Sequence, residues 1–155
     1  GSYSIRVKMP DLSRLRLKTD AVFEFGVEGK DNNAVSAISM QWKLSEPTKL
    51  TLSLASGTEQ TPVSKKYDIR MTDIITNGFD ASSRFYTYGF DWKADSVEWW
   101  VTDPSTKARK TIKAENDASS VPVAAAYINA GAWHTSSAPK YPFEIEIDSI
   151  SYTEL

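Results

Sequence analysis

Phe85-Tyr86-Thr87-Tyr88-Gly89-Phe90-Asp91-Trp92, followed shortly by Val97-Glu98-Trp99-Trp100-Val101, is the stretch that decides the fold. Neighbours in an extended chain point to opposite sides, so Tyr86, Tyr88, Phe90 and Trp92 share one face and Phe85, Thr87, Gly89 and Asp91 the other. In the second run Val97, Trp99 and Val101 fall on a core face, with Glu98, Trp100 and Thr102 opposite. Neither run carries a helical stripe. Outward from this pair, Tyr3, Ile5, Val7 and Met9 take every odd position up to Pro10-Asp11, and Leu12, Leu15 and Leu17 alternate with Arg14, Arg16 and Lys18. Residues 22–28 read as the next strand, ahead of a turn at Gly29-Lys30-Asp31-Asn32-Asn33. Residues 35–44, 50–54, 67–71, 121–128 and 143–152 are further strand candidates, each bounded by Gly, Pro, Asn, Asp or Ser, roughly eight to ten strands in all. The segment 114–120 offers a short helical turn.

Short strands at regular spacing predict an all-β protein, an antiparallel β-sandwich or jelly roll. The chain has 155 residues, 41% hydrophobic and 25% charged, which suits one domain, 1–155, around one core. Lys plus Arg number 18 against 20 for Asp plus Glu, a net charge of −2, so no basic face exists in bulk for a phosphate backbone and nucleic acid is not an expected partner. No run approaches the ~20 apolar residues of a membrane-crossing helix, so no membrane insertion is expected, and any secretion signal is expected to have been removed already. Cysteine is absent, which excludes disulfides and thiolate chemistry. One histidine leaves no good zinc set, so neither metal nor cofactor is expected.

Glu24 and Glu28 stand four apart in a strand-like run and therefore share a face, with Gly26 between them. Two carboxylates on one face can act as nucleophile and acid/base in retaining glycoside hydrolysis, provided both lean inward to about 5–5.5 Å. Equally, they are solvent-facing acids alternating with buried Phe23, Phe25 and Val27. Trp42, Trp92, Trp99, Trp100 and Trp133 are the second signal, since the C–H faces of sugars stack on flat rings; each is also a candidate for plain packing. Trp100 lies on the face opposite the core, lining a groove or sitting on a convex surface. His134 follows Trp133 in a loop-like stretch with no Ser-His-Asp arrangement around it.

Several stretches together resemble glycoside hydrolase family 16, the laminarinase and lichenase group. Residues 1–10, Gly-Ser-Tyr-Ser-Ile-Arg-Val-Lys-Met-Pro, resemble the strand that precedes the family's active site. Residues 77–92 with 97–101 resemble its Phe-His-Thr-Tyr strand and the Trp-Tyr-Val-Asp-Gly partner, and 141–152 resembles its last strand. The resemblance implies a concanavalin A-like jelly roll with a β-glucan groove on its concave side. It also implies a catalytic Glu-x-Asp-x-Glu motif just before Gly29-Lys30-Asp31. With Glu24 and Glu28 as the flanking acids, Gly26 replaces the middle Asp, which in the family tunes the nucleophile by hydrogen bonding. Without a gap, Val22, Glu24 and Gly26 fill the three positions instead. The family's sugar-stacking Trp falls near Asn129, between Tyr127 and Gly131, with Trp133 just beyond; its His is Tyr86. Asp148 matches a position in the structural calcium site of some members, whose other part has no counterpart here.

The resemblance also implies that some of the family's first strands are absent or replaced, which would leave sheet edges to be covered or used for self-association. The expected function is non-catalytic: binding of a β-glucan-type polysaccharide, or a matrix role, in a secreted or cell-wall protein. Trp42, Trp100, Tyr127, Asn129, Trp133 and His134 are the candidate glycan contacts. The alternatives are an active retaining endo-β-glucanase or transglycosylase with Glu24 as nucleophile and Glu28 as acid/base, and a structural, self-associating protein with a vestigial groove.

Overall fold

The computed structural model of the chain describes residues 1–12, 21–31, 33–124, 126–134 and 143–155. Among them are ten strands: β1 (Ser2–Lys8), β2 (Ala21–Asp31), β3 (Ala34–Lys43), β4 (Lys49–Gly57), β5 (Pro62–Arg70), β6 (Tyr86–Trp92), β7 (Val97–Thr102), β8 (Arg109–Glu115), β9 (Tyr127–His134) and β10 (Glu146–Thr153). They form two antiparallel sheets, ordered β10-β1-β6-β7-β8 and β5-β4-β3-β2-β9. This is the all-β sandwich that the alternation predicts.

The inward phase of each strand supplies the core. Ile5, Val7, Tyr86, Tyr88, Phe90, Val97, Trp99 and Val101 of the first sheet are buried against Phe23, Phe25, Val27, Ile38, Met40, Leu50, Leu52 and Leu54 of the second. Ring contacts bind the layers: Trp42 meets Tyr88 edge-on at 4.8 Å between centroids, and Phe25 meets Phe90 at 6.0 Å. Such pairs add about 0.5–1.5 kcal/mol each to the burial of their area.

Several elements depart from expectation, each for a local reason. Gly29, Lys30 and Asp31 continue β2 instead of turning; Asp31 pairs with Ala34, and Asn33 takes φ +71° in the reversal. Residues 121–124 are not strand. Pro122 has no N–H to give a ladder, its carbonyl accepts from Trp92 Nε1 at 2.8 Å, and Ala124 N donates to the Ser36 hydroxyl at 3.1 Å. The strand begins at Tyr127 and runs through His134, so residues 130–134 of the stretch read as a loop are ladder, and its residues 135–137 lie outside the described residues. β8 escapes a pattern search because Ile112 is its one large apolar residue among Arg109, Lys110 and Lys113, a composition typical of a guarded edge. β5 starts earlier than expected, at Pro62, and Met71 opens a one-turn helix, Met71–Asp73. The other helical turn is Ala118–Ser120, where the Asp117 side chain accepts from Ser119 N. β10 pairs from Glu146, and Leu15 and Leu17 lie outside the described residues.

The two sides of the sandwich differ. Where β5 meets β8, Glu115 ties the sheets together: Lys65 Nζ lies 2.9 Å from Oε2, the Tyr67 hydroxyl donates to the same oxygen at 2.5 Å, and Asp117 N donates to Oε1 at 2.9 Å. The Tyr67 hydrogen bond first, then the Asp117 amide and Lys65, hold the Glu115 carboxyl down at about 2 against the opposing effect of burial. On the other side β9 and β10 are edges. Ile150, Ile147 and Tyr152 pair with Ile5, Val7 and Tyr3 and so share the inward phase, yet they are 44%, 45% and 54% exposed.

Candidate functional site

The outer phase of β2 carries Val22, Glu24, Gly26 and Glu28, and antiparallel pairing extends that phase sideways. Glu24 stands between Gln41 on β3 and Gly131 on β9, Gly26 between Ser39 and Asn129, and Glu28 between Ala37 and Tyr127. Trp133 pairs with Val22. Further out, Ser39 and Gln41 pair with Ser53 and Thr51 of β4, which pair with Lys66 and Asp68 of β5. The outer face of the second sheet is thus a polar strip across five strands, with Tyr127 (82% exposed) and Trp133 (41% exposed) along its β9 edge.

Hydrogen bonds fix the side chains of the strip. Gln41 Nε2 donates to Glu24 Oε2, and Asn129 Nδ2 donates to Glu28 Oε2 at 3.4 Å. The hydroxyls of Ser39 and Ser53 are 2.8 Å apart, and Thr51 donates to Asp68 at 2.7 Å. Four extended residues separate the Glu24 and Glu28 α-carbons by roughly 13 Å. Glu28 leans along β9 toward the level of Gly26, while Glu24 is held at its own level on the β3 side. Gly26 is where the two backbones crowd: a β-carbon there would lie 2.3 Å from the Ile38 carbonyl oxygen and 2.9 Å from both Cα and Cβ of Ser39. The position between the glutamates has no room for a side chain unless β3 moves. Toward the β3–β4 turn the face deepens into a cleft of about 410 Å³ lined by Gln41, Lys43, Glu46, Lys49, Asp68 and Arg70, among others.

Of the candidate residues, Glu24, Glu28, Tyr127, Asn129 and Trp133 are gathered on this face. Trp42 is not. At 1% exposure it is sandwiched in the core against Phe23 and Tyr88, with no face left for a ligand. Trp100 belongs to the first sheet and lies on its outer side. There its indole N–H donates to Asp91 at 3.1 Å, the Arg109 guanidinium stacks on the ring at 4.3 Å, and exposure falls to 7%. His134 ends β9 at the position opposite Ala21. Tyr86, at the position of the family's His, is buried in the core. Asp148 is ion-paired with Arg6 at 2.8 Å, and no cluster of three potential metal ligands exists among the described residues. Gln41, Ser39, Thr51 and the basic cleft residues were not among the candidates. The polar phase of Ala37-Ile38-Ser39-Met40-Gln41-Trp42-Lys43 signals them once β3 is paired with β2.

The sequence profile of glycosyl hydrolases family 16 matches residues 55–150. The chain belongs to this family. The match takes in β9, with Tyr127, Asn129 and Trp133, and leaves β2, with Glu24 and Glu28, outside it. No curated protein matches the sequence. Among solved structures, a Bacillus licheniformis β-glucanase is 18% identical over 88% of this chain and 54% of its own, with TM-score 0.64. The Crh5 transglycosylase in complex with NAG is 15% identical over 90% and 52%, with TM-score 0.62. The κ-carrageenase from Pseudoalteromonas carrageenovora, in complex with an oligotetrasaccharide of κ-carrageenan, is 12% identical over 92% and 53%, with TM-score 0.61. The family 16 chain shares their jelly-roll sandwich and spans about half the length of each.

Proposed function

We propose that this family 16 chain binds a polysaccharide along the outer face of its second sheet without cleaving it. The observation that carries the reading is the crowding at Gly26, where the family pattern has an acid between two glutamates. A retaining pair needs its carboxyl groups about 5–5.5 Å apart, and in the family pattern the middle acid helps set the nucleophile's protonation state. Here the backbone of β3 occupies the neighbour's space, and Gln41 and Asn129 hold the two glutamates toward different strands. Binding needs less: rings for the C–H faces of sugars, and amides and carboxylates for hydroxyls. Trp133, Tyr127, Asn129, Glu24 and Glu28 supply both on one face. The β-glucanase and transglycosylase neighbours put glucan first among the polymers to try, and a secreted or matrix setting fits such a ligand.

The test is to incubate the protein with laminarin, mixed-linkage glucan and xyloglucan, assaying reducing ends and retardation in polysaccharide gels. The expected result is retardation without new reducing ends, weakened by Trp133→Ala. Turnover that disappears in Glu24→Gln would establish a working retaining enzyme and overturn the proposal. One observation favours a second role, self-association: the inward phase of β10 is an exposed edge of Ile147, Ile150 and Tyr152, a template for pairing with another copy.

A further inference from the structure

Charge is unevenly divided over the glycan face. The β2 strip carries Glu24 and Glu28. The β3–β4–β5 half carries four cations, Lys43, Lys49, Lys66 and Arg70, against two carboxylates, Glu46 and Asp68. Both of those carboxylates are already engaged. Glu46 accepts from Lys43 Nζ at 3.0 Å and is also bonded by Lys49, and Asp68 accepts from the Thr51 hydroxyl at 2.7 Å. The side chains of Lys66 and Arg70, both exposed on the outer phase of β5, make no hydrogen bond or ion pair among the described residues. Arg70 pairs across the ladder with Lys49 and lines the cleft of about 410 Å³ with Lys43 and Gln41, the residue that holds Glu24. The cleft and the glycan strip are therefore continuous.

We propose that the polysaccharide bound here is acidic, and that its carboxylate or sulfate groups are taken by Arg70 with Lys49 and Lys66; the inference rests on the binding face argued above. Four inter-strand steps, roughly 19 Å, separate β9 from β5. A chain of a few sugars laid across the strands meets the Trp133 ring at one end and the cations at the other, with its charged group kept clear of Glu24 and Glu28. A guanidinium offers a planar fork matched to carboxylate and sulfate oxygens, and an unpaired one costs no existing ion pair to recruit.

Affinity electrophoresis and calorimetry on the whole chain test this, with polygalacturonate, κ-carrageenan and laminarin as probes. The expected result is about tenfold tighter binding of an acidic polymer than of laminarin, the worth of one charge-assisted hydrogen bond. Arg70→Gln brings it down to the laminarin level, and added salt does the same. Arg70 is exposed, so an unchanged unfolding midpoint verifies that the variant is folded. Whichever of the two acidic polymers is retained identifies carboxylate or sulfate as the group. Laminarin binding as tight as that of either acidic polymer, with Arg70→Gln inert and Trp133→Ala weakening, overturns the acidic specificity and leaves the glycan face standing. Binding that responds to Trp133→Ala with none of the three polymers overturns the glycan face and this inference with it.

Discussion

Replacing Gly26 by Ala isolates the contact on which the non-catalytic reading turns. In the interior of a strand, glycine is ordinarily the worse residue by about 0.5–1 kcal/mol, because its unfolded chain has more freedom to lose. On propensity alone Gly26→Ala should stabilise. The new β-carbon, however, would stand 2.3 Å from the Ile38 carbonyl oxygen and 2.9 Å from two Ser39 atoms, all backbone or directly attached to it. None of these is the far end of a flexible side chain, so the β2–β3 ladder itself must shift. Overpacking of this kind costs about 1–3 kcal/mol, outweighing the propensity gain. For a chain of this size 1 kcal/mol moves the melting temperature by about 2–4 °C, so the expected loss is of order 5 °C, with Gly26→Asp worse. Thermal and urea unfolding followed by circular dichroism reads it. An alanine variant as stable as the parent, or more so, would mean that β3 yields easily, and that an acid between Glu24 and Glu28 is sterically allowed.

Three further outcomes follow from the same structure. Trp42→Ala removes a fully buried indole packed on Phe23 and Tyr88 and should cost about 3–5 kcal/mol, whereas Trp133→Ala, at a 41% exposed position, should leave the unfolding midpoint nearly unchanged; equal losses would contradict the assignment of core and face. The Glu115 carboxyl sits at about 2 in the folded chain, below its unfolded value near 4.5, so its contribution is complete above about pH 5 and disappears as pH falls toward 2. That contribution is at most about 3 kcal/mol, and Glu115→Gln should flatten the acid limb of a stability-versus-pH curve; an unchanged limb would refute the role of the Lys65–Tyr67–Glu115 tie. Ile150→Lys should abolish concentration-dependent sedimentation if β10 pairs between copies, and a parent that sediments as a monomer at all concentrations removes that reading.

The strands that alternation reveals are those whose inward phase is buried and whose outward phase is wet. Tyr86, Tyr88 and Phe90 against Thr87 and Asp91 need nothing beyond period two to be placed. Arg109–Glu115 is invisible to the same reasoning, because an edge strand at the rim buries only Ile112 and the charged Glu115 and is held by its ladder to β7. Residues 121–124 fail in the opposite sense: Val121 and Val123 look strand-like, but Pro122 breaks the ladder and Trp92 and Ser36 satisfy the backbone instead. At the site, the phase of Glu24 and Glu28 follows from spacing, but their neighbours do not. Gln41 and Asn129 meet them only through pairings whose register is set by turns and by the core. Trp42 and Trp100 show the limit for aromatics. An indole is equally at home stacked on a sugar, buried between sheets or lying under an arginine, and only the packing distinguishes these cases.

The crowding at Gly26 also ties the chemistry of the outer face to the inner one. The Ile38 carbonyl that blocks position 26 belongs to a residue whose own side chain is fully buried, as is that of Met40, two positions on. Trimming Ser39 to glycine would remove one contact at 2.9 Å and leave the carbonyl contact at 2.3 Å in place. An acid between the two glutamates therefore requires β3 to retreat, and β3 cannot retreat without lifting Ile38 and Met40 out of a close-packed core. Trp133 and Arg70 stand under no such constraint. They stand at the two edges of the face, away from the β2–β3 contact, so substitution there would change the polymer specificity proposed for the face while the core stays as it is.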